Sequence, residues 1–344
     1  MIRREDGAGG KYMTEFLKKR VFSRLDARAG EISLSEMEDS ADFDDNYLLT
    51  TDSYTAHPPV FRGGSIGSLA VCGTSNDLAV MGAEPAFMSL ALIIQEGFDD
   101  EVFERIMSDV SHWVEELGLR VITGDTKVVE MNAGIFINTS GIGVRNDALE
   151  RNLEVLREYR EYPYRWIRDR GLREGDAVIV SGNIAEHGLA MLLEREDLGF
   201  DVDVESDVRP VWFAVRSAME EVGGISAMKD PTRGGIAEAL NEMAEKSGVG
   251  ILVEEERIPV REDVRGVCDA LGLDPYSMAN EGKVVMGVEG ELAEDVLRVL
   301  RKFDRNAEII GYATSEFSEV VVKTRIGTTK VLPWPTVDPI PRVC

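Results

Sequence analysis

Three aspartates sit where a ligand would gather if the chain alternates strands and helices. Asp52 closes the strand-like YLLTTD (47–52) and Asp125 closes RVITGD (120–125), and open α/β sheets collect ligands beyond the carboxyl ends of their strands. Asp77 lies in IGSLAVCGTSNDLAV, where Ile66, Ala70, Gly73, Asp77 and Val80 share one stripe of a helix. A carboxylate on that apolar stripe needs a metal, a cation or several donors, because burying it unpaired is costly. The alternative is that residues 74–77 cap a second short helix and leave Asp77 solvated.

Glycine clusters occur at DGAGG (6–10), RGGSIG (62–67) and DPTRGG (230–235), and glycines let backbone amides approach phosphate oxygens. No GxxxxGK[ST] is present and no GxGxxG follows a strand, so each cluster alone reads more readily as a turn. Together with the three carboxylates they suggest a magnesium–nucleotide site built without a P-loop. Lys127 follows a strand end in GDTKVV, and Glu281 precedes a strand in ANEGKVVMGV. Such a pair could position and move a proton if it converged on one pocket, although spacing alone favours two surface charges. His57, His112 and His187 belong to no catalytic motif, so none is expected to act as a base. The chain ends in PIPRVC, and a thiol on a mobile end is open to oxidation. Its presence there asks for a chemical reason.

The elements that must hold these groups follow from periodicity. Strands are expected at 47–52, 87–94, 120–125 and 134–144, with helices at 67–82 and 100–117. Residues 1–146 form an N-terminal α/β domain on this reading, and the charged, aromatic stretch 147–170 is a linker with some helix. A second, α+β domain covers 171–331, with helices at 211–222 and 235–247 and strands at 250–255, 283–288, 307–313 and 319–324. Prolines 333, 335, 339 and 341 forbid regular structure beyond it, so 332–344 is expected to be an extended, mobile tail.

Composition narrows the partners. The 344 residues carry a net charge of −25, which argues against nucleic acid and against an anionic membrane. The longest apolar run, FMSLALII, is too short to span a bilayer. No signal peptide is visible, and Cys72, Cys268 and Cys344 form no CxxC pair. A soluble, cytoplasmic protein without disulfides or a zinc knuckle is the expectation.

Read in order, LLTTDS, GTSNDLAVMGAEP, VITGDTKVV, IFINTSGIG, VIVSGNIAEHGLAML, KDPTRGGIAEALNE, SGVGILVEEERIPV, DPYSMANEGKVV and the terminal PRVC resemble the HypE family of hydrogenase-maturation proteins. The resemblance runs from residue 6 to 344, interrupted mainly at 147–170. It implies a two-domain fold like that of aminoimidazole ribonucleotide synthase, a homodimer formed through the N-terminal sheet, and ATP with Mg2+ bound near the dimer interface. It also implies that Cys344 receives a carbamoyl group from a HypF-like carbamoyltransferase and that ATP then dehydrates it to a thiocyanate. A HypC–HypD-like iron-carrying complex would accept the cyanide for a nickel–iron hydrogenase. Carried over by position, Glu281 is the base, oriented by Lys127. Gly7, Gly9, Gly10, Asn76, Asp230, Thr232 and Arg233 bind nucleotide, and Asp39, Asp52, Asp77 and Asp125 hold magnesium. Departures from the family pattern are Asp6, Arg62, Ser65, Glu186 and Lys229, where histidine, proline, aspartate, aspartate and arginine are usual. Sister enzymes such as thiamin-phosphate kinase would share the aspartates without needing a terminal cysteine. A scaffold that only carries the modified tail would need neither Asp77, Asp125 nor Lys127.

Overall fold

In the computed structural model, which describes residues 1–344 except Asp26, Asp197 and Pro341, a helix α1 (Gly10–Leu17) and a one-turn α2 (Ser23–Leu25) precede the first sheet. That sheet is built from β1 (Ala41–Asp44), β2 (Tyr47–Tyr54), β5 (Glu84–Gln95), β6 (Arg120–Val129) and β7 (Ile135–Val144) in the order β1-β2-β7-β5-β6. A short ribbon of β3 (Val60–Phe61) and β4 (Gly64–Ser65) leads into α3 (Ile66–Ala79). Only β5 and β6 run parallel, and the crossover this demands is α4 (Asp100–Leu117).

Along β7 buried and half-buried residues alternate strictly, because one face lies under α3. Every residue of α3 except Asp77 is buried, and the Ser65 hydroxyl caps it by accepting from the Gly67 amide at 3.2 Å. A Cβ on Gly67 would lie 2.4 Å from the Ile106 carbonyl oxygen, so α3 and α4 touch through a missing side chain. At the other edge β6 is exposed from Arg120 to Val128, apolar Val121, Ile122 and Val128 included. A bare edge of this kind invites another strand or chain.

The expected linker is a core element. Asn146 caps α5 (Asp147–Tyr159) by accepting from the Leu149 amide at 3.0 Å, and Leu149, Leu153 and Leu156 are buried with Trp166 and Ile167. The charges that suggested a solvated segment are spent on ion pairs: Arg160 binds Asp176 and Glu289, and Arg168 meets Glu38 at 2.8 Å. Beyond it, β8 (Ala177–Val180), α6 (Glu186–Arg195), α7 (Trp212–Glu221), β9 (Ile225–Lys229), α8 (Gly235–Ser247) and β10 (Gly250–Glu254) open the second half. They are followed by α9 (Glu262–Leu271), β11 (Val285–Val288), α10 (Ala293–Leu300), β12 (Glu308–Thr314), β13 (Val320–Lys323) and β14 (Thr329–Val331). The second sheet is mixed, in the order β14-β13-β10-β12-β8-β11-β9. Its β8 and β11 are buried throughout. An α/β half followed by an α+β half is therefore the architecture, as expected.

The tail is where expectation and structure part. Residues 332–344 carry no regular element after β14, as the prolines require, but they are docked rather than extended into solvent (Pro341 lies outside the described residues). Leu332, Asp338, Ile340 and Val343 are buried. The backbone finds partners in the first domain: Lys11 donates to the Pro335 carbonyl (3.2 Å), Asp338 to Ala8 (2.9 Å), His57 to Arg342 (3.2 Å) and Thr55 to Cys344 (3.2 Å). Proline restricts the conformation of a chain without deciding whether it is packed.

Trp166 tests the corrected role of 147–170. Because its indole is fully buried, Trp166→Ala should lower unfolding free energy by about 3–5 kcal/mol in denaturant titration. A loss within about 0.5 kcal/mol, as for a surface linker, would contradict the packing.

Candidate active site

Between the two halves lies a cavity of about 420 Å3 whose lining includes Gly9, Asp39, Asp52, Asp77, Asp230, Thr232 and Arg233. Asp52 comes from β2, Asp77 from the last turn of α3, and Asp230, Thr232 and Arg233 from the turn joining β9 to α8. The stripe reading of Asp77 holds, since it lies within α3 and not in a second helix. Its Oδ2 accepts from the Thr50 hydroxyl at 2.8 Å. Burial, and then the charges of Asp230, Asp52 and Asp39, push its carboxyl well above the usual range. Burial and Asp39 raise Asp230 to about 7.

Lys229 is the cation set against these acids, at 2.6 Å from Asp39 and 3.1 Å from Glu242. Burial still raises Asp39 despite that lysine, and its Oδ2 is buried without a hydrogen-bond partner. Like charges crowded this way favour a positive ligand. Among the described residues no three carboxyl, imidazole or thiol groups converge as a ready-made metal cage. A divalent ion would therefore bring other oxygens with it, as Mg2+ does when it arrives on a polyphosphate.

A second group of residues, outside the cavity lining, interacts electrostatically with the first. Glu281 is buried, its amide donating to Asp207 Oδ1 at 3.1 Å and its carbonyl accepting from Asn76 Nδ2 at 3.2 Å. Its Oε1 has no hydrogen-bond partner. Burial, Asp230, Asp207 and Asp52 lift its carboxyl well above the ordinary range, against the pull of Arg233. Once ionised, such a carboxylate is a stronger base than a solvated one. The docked tail brings Cys344 into the same field. The residue keeps some exposure, yet burial of its thiol raises the pKa well above the usual value, with Arg233 opposing and Glu281 and Asp52 adding to the rise. Cys72 and Cys268 are buried, and burial pushes the Cys268 thiol to about 11.

Several expected site residues are placed elsewhere. Lys127 and Asp125 pair with one another at 2.6 Å on exposed β6, and that contact lowers the Asp125 carboxyl. Neither lines the cavity, and Lys127 does not orient Glu281 within one chain; Asp207 and Asn76 hold its backbone. Asn76 is itself a buried bracket, donating also to the Arg209 carbonyl (3.1 Å) and accepting from the Val211 amide (2.8 Å). Gly7 is exposed, and the Gly10 amide is taken by the Glu238 carboxylate at 2.9 and 3.1 Å. Of the first glycine cluster, Gly9 alone lines the cavity.

Residues that the sequence did not single out complete the surroundings. His187 sits in the first turn of α6, fully buried, with Nε2 3.0 Å from the Val343 carbonyl oxygen. Asp207 lies in an irregular acidic stretch with Lys283 at 3.4 Å from its Oδ2. No periodic pattern marks that stretch, so nothing in the sequence distinguished it from a solvated loop.

Residues 37–145 match the AIR synthase related protein N-terminal domain and residues 173–323 the corresponding C-terminal domain. A protein of Methanocaldococcus jannaschii named for hydrogenase expression and formation is 47% identical, over 100% of this chain and 99% of its own length. Carbamoyl dehydratase HypE of Rhizobium leguminosarum is 38% identical, over 98% of this chain and 93% of its own. Among solved structures, a HypE–HypF complex aligns with a TM-score of 0.82 at 39% identity, covering 93% of this chain and 99% of that one. HypE in complex with ATP aligns at 0.79 and 35%, covering 100% of both chains.

The crowded acids make stability depend on pH. In the unfolded chain Asp230 should ionise near 3.9, whereas in the fold it does so at about 7. Its contribution is therefore present below the first value and lost as pH rises through the second. Asp230→Asn removes that loss. Its melting temperature relative to wild type should climb by about 2–4 °C or more from about pH 5 to about pH 8 in thermal denaturation. A difference that stays constant with pH would contradict the crowding.

Proposed function

For a chain that belongs to the AIR synthase related proteins and, within them, to the HypE carbamoyl dehydratases, we propose that Cys344 is the substrate of its own protein. The enzyme uses ATP to convert an S-carbamoyl cysteine into a thiocyanate during hydrogenase maturation. The observation that carries the assignment of residues is the docked tail, which sets Cys344 in one electrostatic field with Glu281, Arg233 and Asp52.

The balance is simple. A carbamoyl thioester loses its oxygen and two protons to become a nitrile, and the oxygen leaves on phosphate once the γ-phosphoryl group of ATP has been transferred to it. Arg233 is placed to offset charge developing near the sulfur, and Glu281 to take a proton from the amide nitrogen. Thr232 and Gly9 face the cavity where phosphates would lie. The orphaned oxygen of Asp39 and the raised carboxyls of Asp77 and Asp230 fit a divalent cation. Mg2+ held by Asp39, Asp52 and Asp77 would neutralise polyphosphate charge there.

Residues 332–344 act as a carrier arm that docks for dehydration and leaves for loading. A HypF-like carbamoyltransferase is the donor, a reading supported by the solved complex of a relative with HypF. A HypC–HypD-like iron-carrying complex takes the cyanide. No helix among the described residues is long and apolar enough to cross a membrane, and three free thiols suit a reducing cytoplasm.

A homodimer accounts for Asp125 and Lys127. Both stand on bare β6 beside exposed Val121, Ile122 and Val128, so a second copy covering that strand would carry them to its partner's site. Lys127 then works across the interface.

Two experiments test this reading. In intact-mass analysis with carbamoyl donor and Mg–ATP, wild type should gain a carbamoyl group and then lose one water. Glu281→Gln should stop after the first change, and Cys344→Ala should take up nothing while still binding ATP. Modification mapped to Cys72 or Cys268 would overturn the assignment. In the second experiment Lys127→Ala and Glu281→Gln subunits are unfolded, mixed and refolded together. If Lys127 acts across the interface, half the dimers are mixed and each has one intact site, giving about a quarter of wild-type activity. No recovery would place Lys127 and Glu281 in one subunit.

A further inference from the structure

We propose that His187 is a positioning residue for the dehydration step: it holds the Val343 carbonyl so that the Cys344 sulfur meets Glu281 in one orientation. The proposal rests on the carrier-arm reading above and gives that arm its reversible clasp.

The hydrogen bonds around His187 leave one arrangement of protons. A carbonyl oxygen only accepts, so Nε2, 3.0 Å from Val343 O, carries the ring hydrogen. Nδ1 then accepts from the Ser206 hydroxyl at 2.7 Å. Ser206 is committed in turn, because its Oγ accepts from the Val208 amide at 3.1 Å and its proton is left for the ring. Phe61 packs edge-on against the imidazole with centroids 5.6 Å apart. The ring is fully buried, and burial lowers its pKa and keeps it neutral. Tautomer and ring plane are thus set by groups that do not belong to the tail, and the remaining N–H points at the tail.

The position of that contact matters. Thr55 donates from its amide and its hydroxyl, each at 3.2 Å, to an oxygen of the Cys344 carboxylate. With His187 on Val343, a carbonyl and the carboxylate that follows it are both held, which fixes the direction in which the Cys344 side chain leaves the backbone. Orientation of this kind converts a loosely tethered reactant into an aligned one. A neutral hydrogen bond shifts an equilibrium by only roughly two- to tenfold. That is enough to bias the arm inward and too little to prevent its departure for loading.

The variants His187→Phe, His187→Gln and Ser206→Ala test the clasp. Two rates are measured on the C-terminal peptide by mass spectrometry. One is reaction of Cys344 with an aromatic disulfide reagent. The other is single-turnover thiocyanate formation with Mg–ATP after the thiol has been carbamoylated chemically with cyanate. His187→Phe should expose Cys344, raising the first rate roughly two- to tenfold, and slow the second by a similar factor, with ATP affinity and cyanate loading undiminished. His187→Gln, which can donate to the carbonyl and accept from Ser206, should restore most of both. Should the phenylalanine variant fail to fold, Ser206→Ala, which frees the tautomer, should move both rates in the same directions by less. Unchanged rates in the folded variants, or glutamine as damaging as phenylalanine, would overturn the proposal. A wild type that forms no thiocyanate would overturn the dehydratase reading instead, while the thiol rates would still decide the role of His187.

Discussion

Carboxylates that repel one another, gathered around a single lysine, set the conditions under which the rest of this molecule has to be stable. Asp39, Asp52, Asp77 and Asp230 approach from four different segments, and among the described residues Lys229 is the one that forms an ion pair with them, at Asp39. Beneath them further charge pairs, Lys246 with Asp169 and Arg168 with Glu38, neutralise the next layer. Such an arrangement persists only on a rigid frame. The frame is α3, buried on every side but at Asp77, held against α4 where Gly67 has no side chain, and laid across β7. A cation arriving with phosphates would relieve the repulsion that the packing withstands.

The docked arm adds a second use for the same field. Burial, with the charges of Glu281 and Asp52 added and Arg233 opposing, raises the Cys344 thiol well above its usual value, and a protonated thiol is a poor nucleophile. Burial and the neighbouring aspartates raise the Glu281 carboxyl in the same way.

What could be read from the residues follows from how far each signal reaches. Asp77 was legible because a helical stripe is a local pattern, whereas Asp52 reaches the cavity from within β2, which runs on to Tyr54, and not from the strand end that the sequence suggested. The nearness of Cys344, Glu281 and Arg233 was not local. It came from resemblance to a known family, and the residues themselves carry no spacing that would bring them together. Lys127 was joined to Glu281 although the fold separates them, because a linear sequence does not say whether a partner belongs to the same copy. At 147–170 the charges masked Leu149, Leu153 and Leu156, whose helical spacing is plain once the ion pairs have been accounted for. Asn76 was carried over as a nucleotide ligand by resemblance, but its polar side-chain atoms are taken up by backbone groups. Prolines in the tail excluded a helix and left open whether the tail was docked or free.

The burial of Trp166 and α5 has a mechanical consequence. One continuous core contains Leu48 and Leu78 from the first half, Leu149 and Trp166 from the join, and Ile179, Met228 and Val284 from the second half. A body built this way has no slack between its halves, so the travel of the sulfur must come from the arm alone. Asp338 pins that arm by accepting from the Gly234 amide at 2.9 Å and the Ile340 amide at 2.8 Å. If the bond to Gly234 stays closed while the one to Ile340 opens, residues 339–344 can stretch to roughly 20 Å at about 3.3–3.6 Å per residue. An enzyme that acted on this cysteine away from the cavity would have to bring its own catalytic centre within that radius, which would make the arm a ruler.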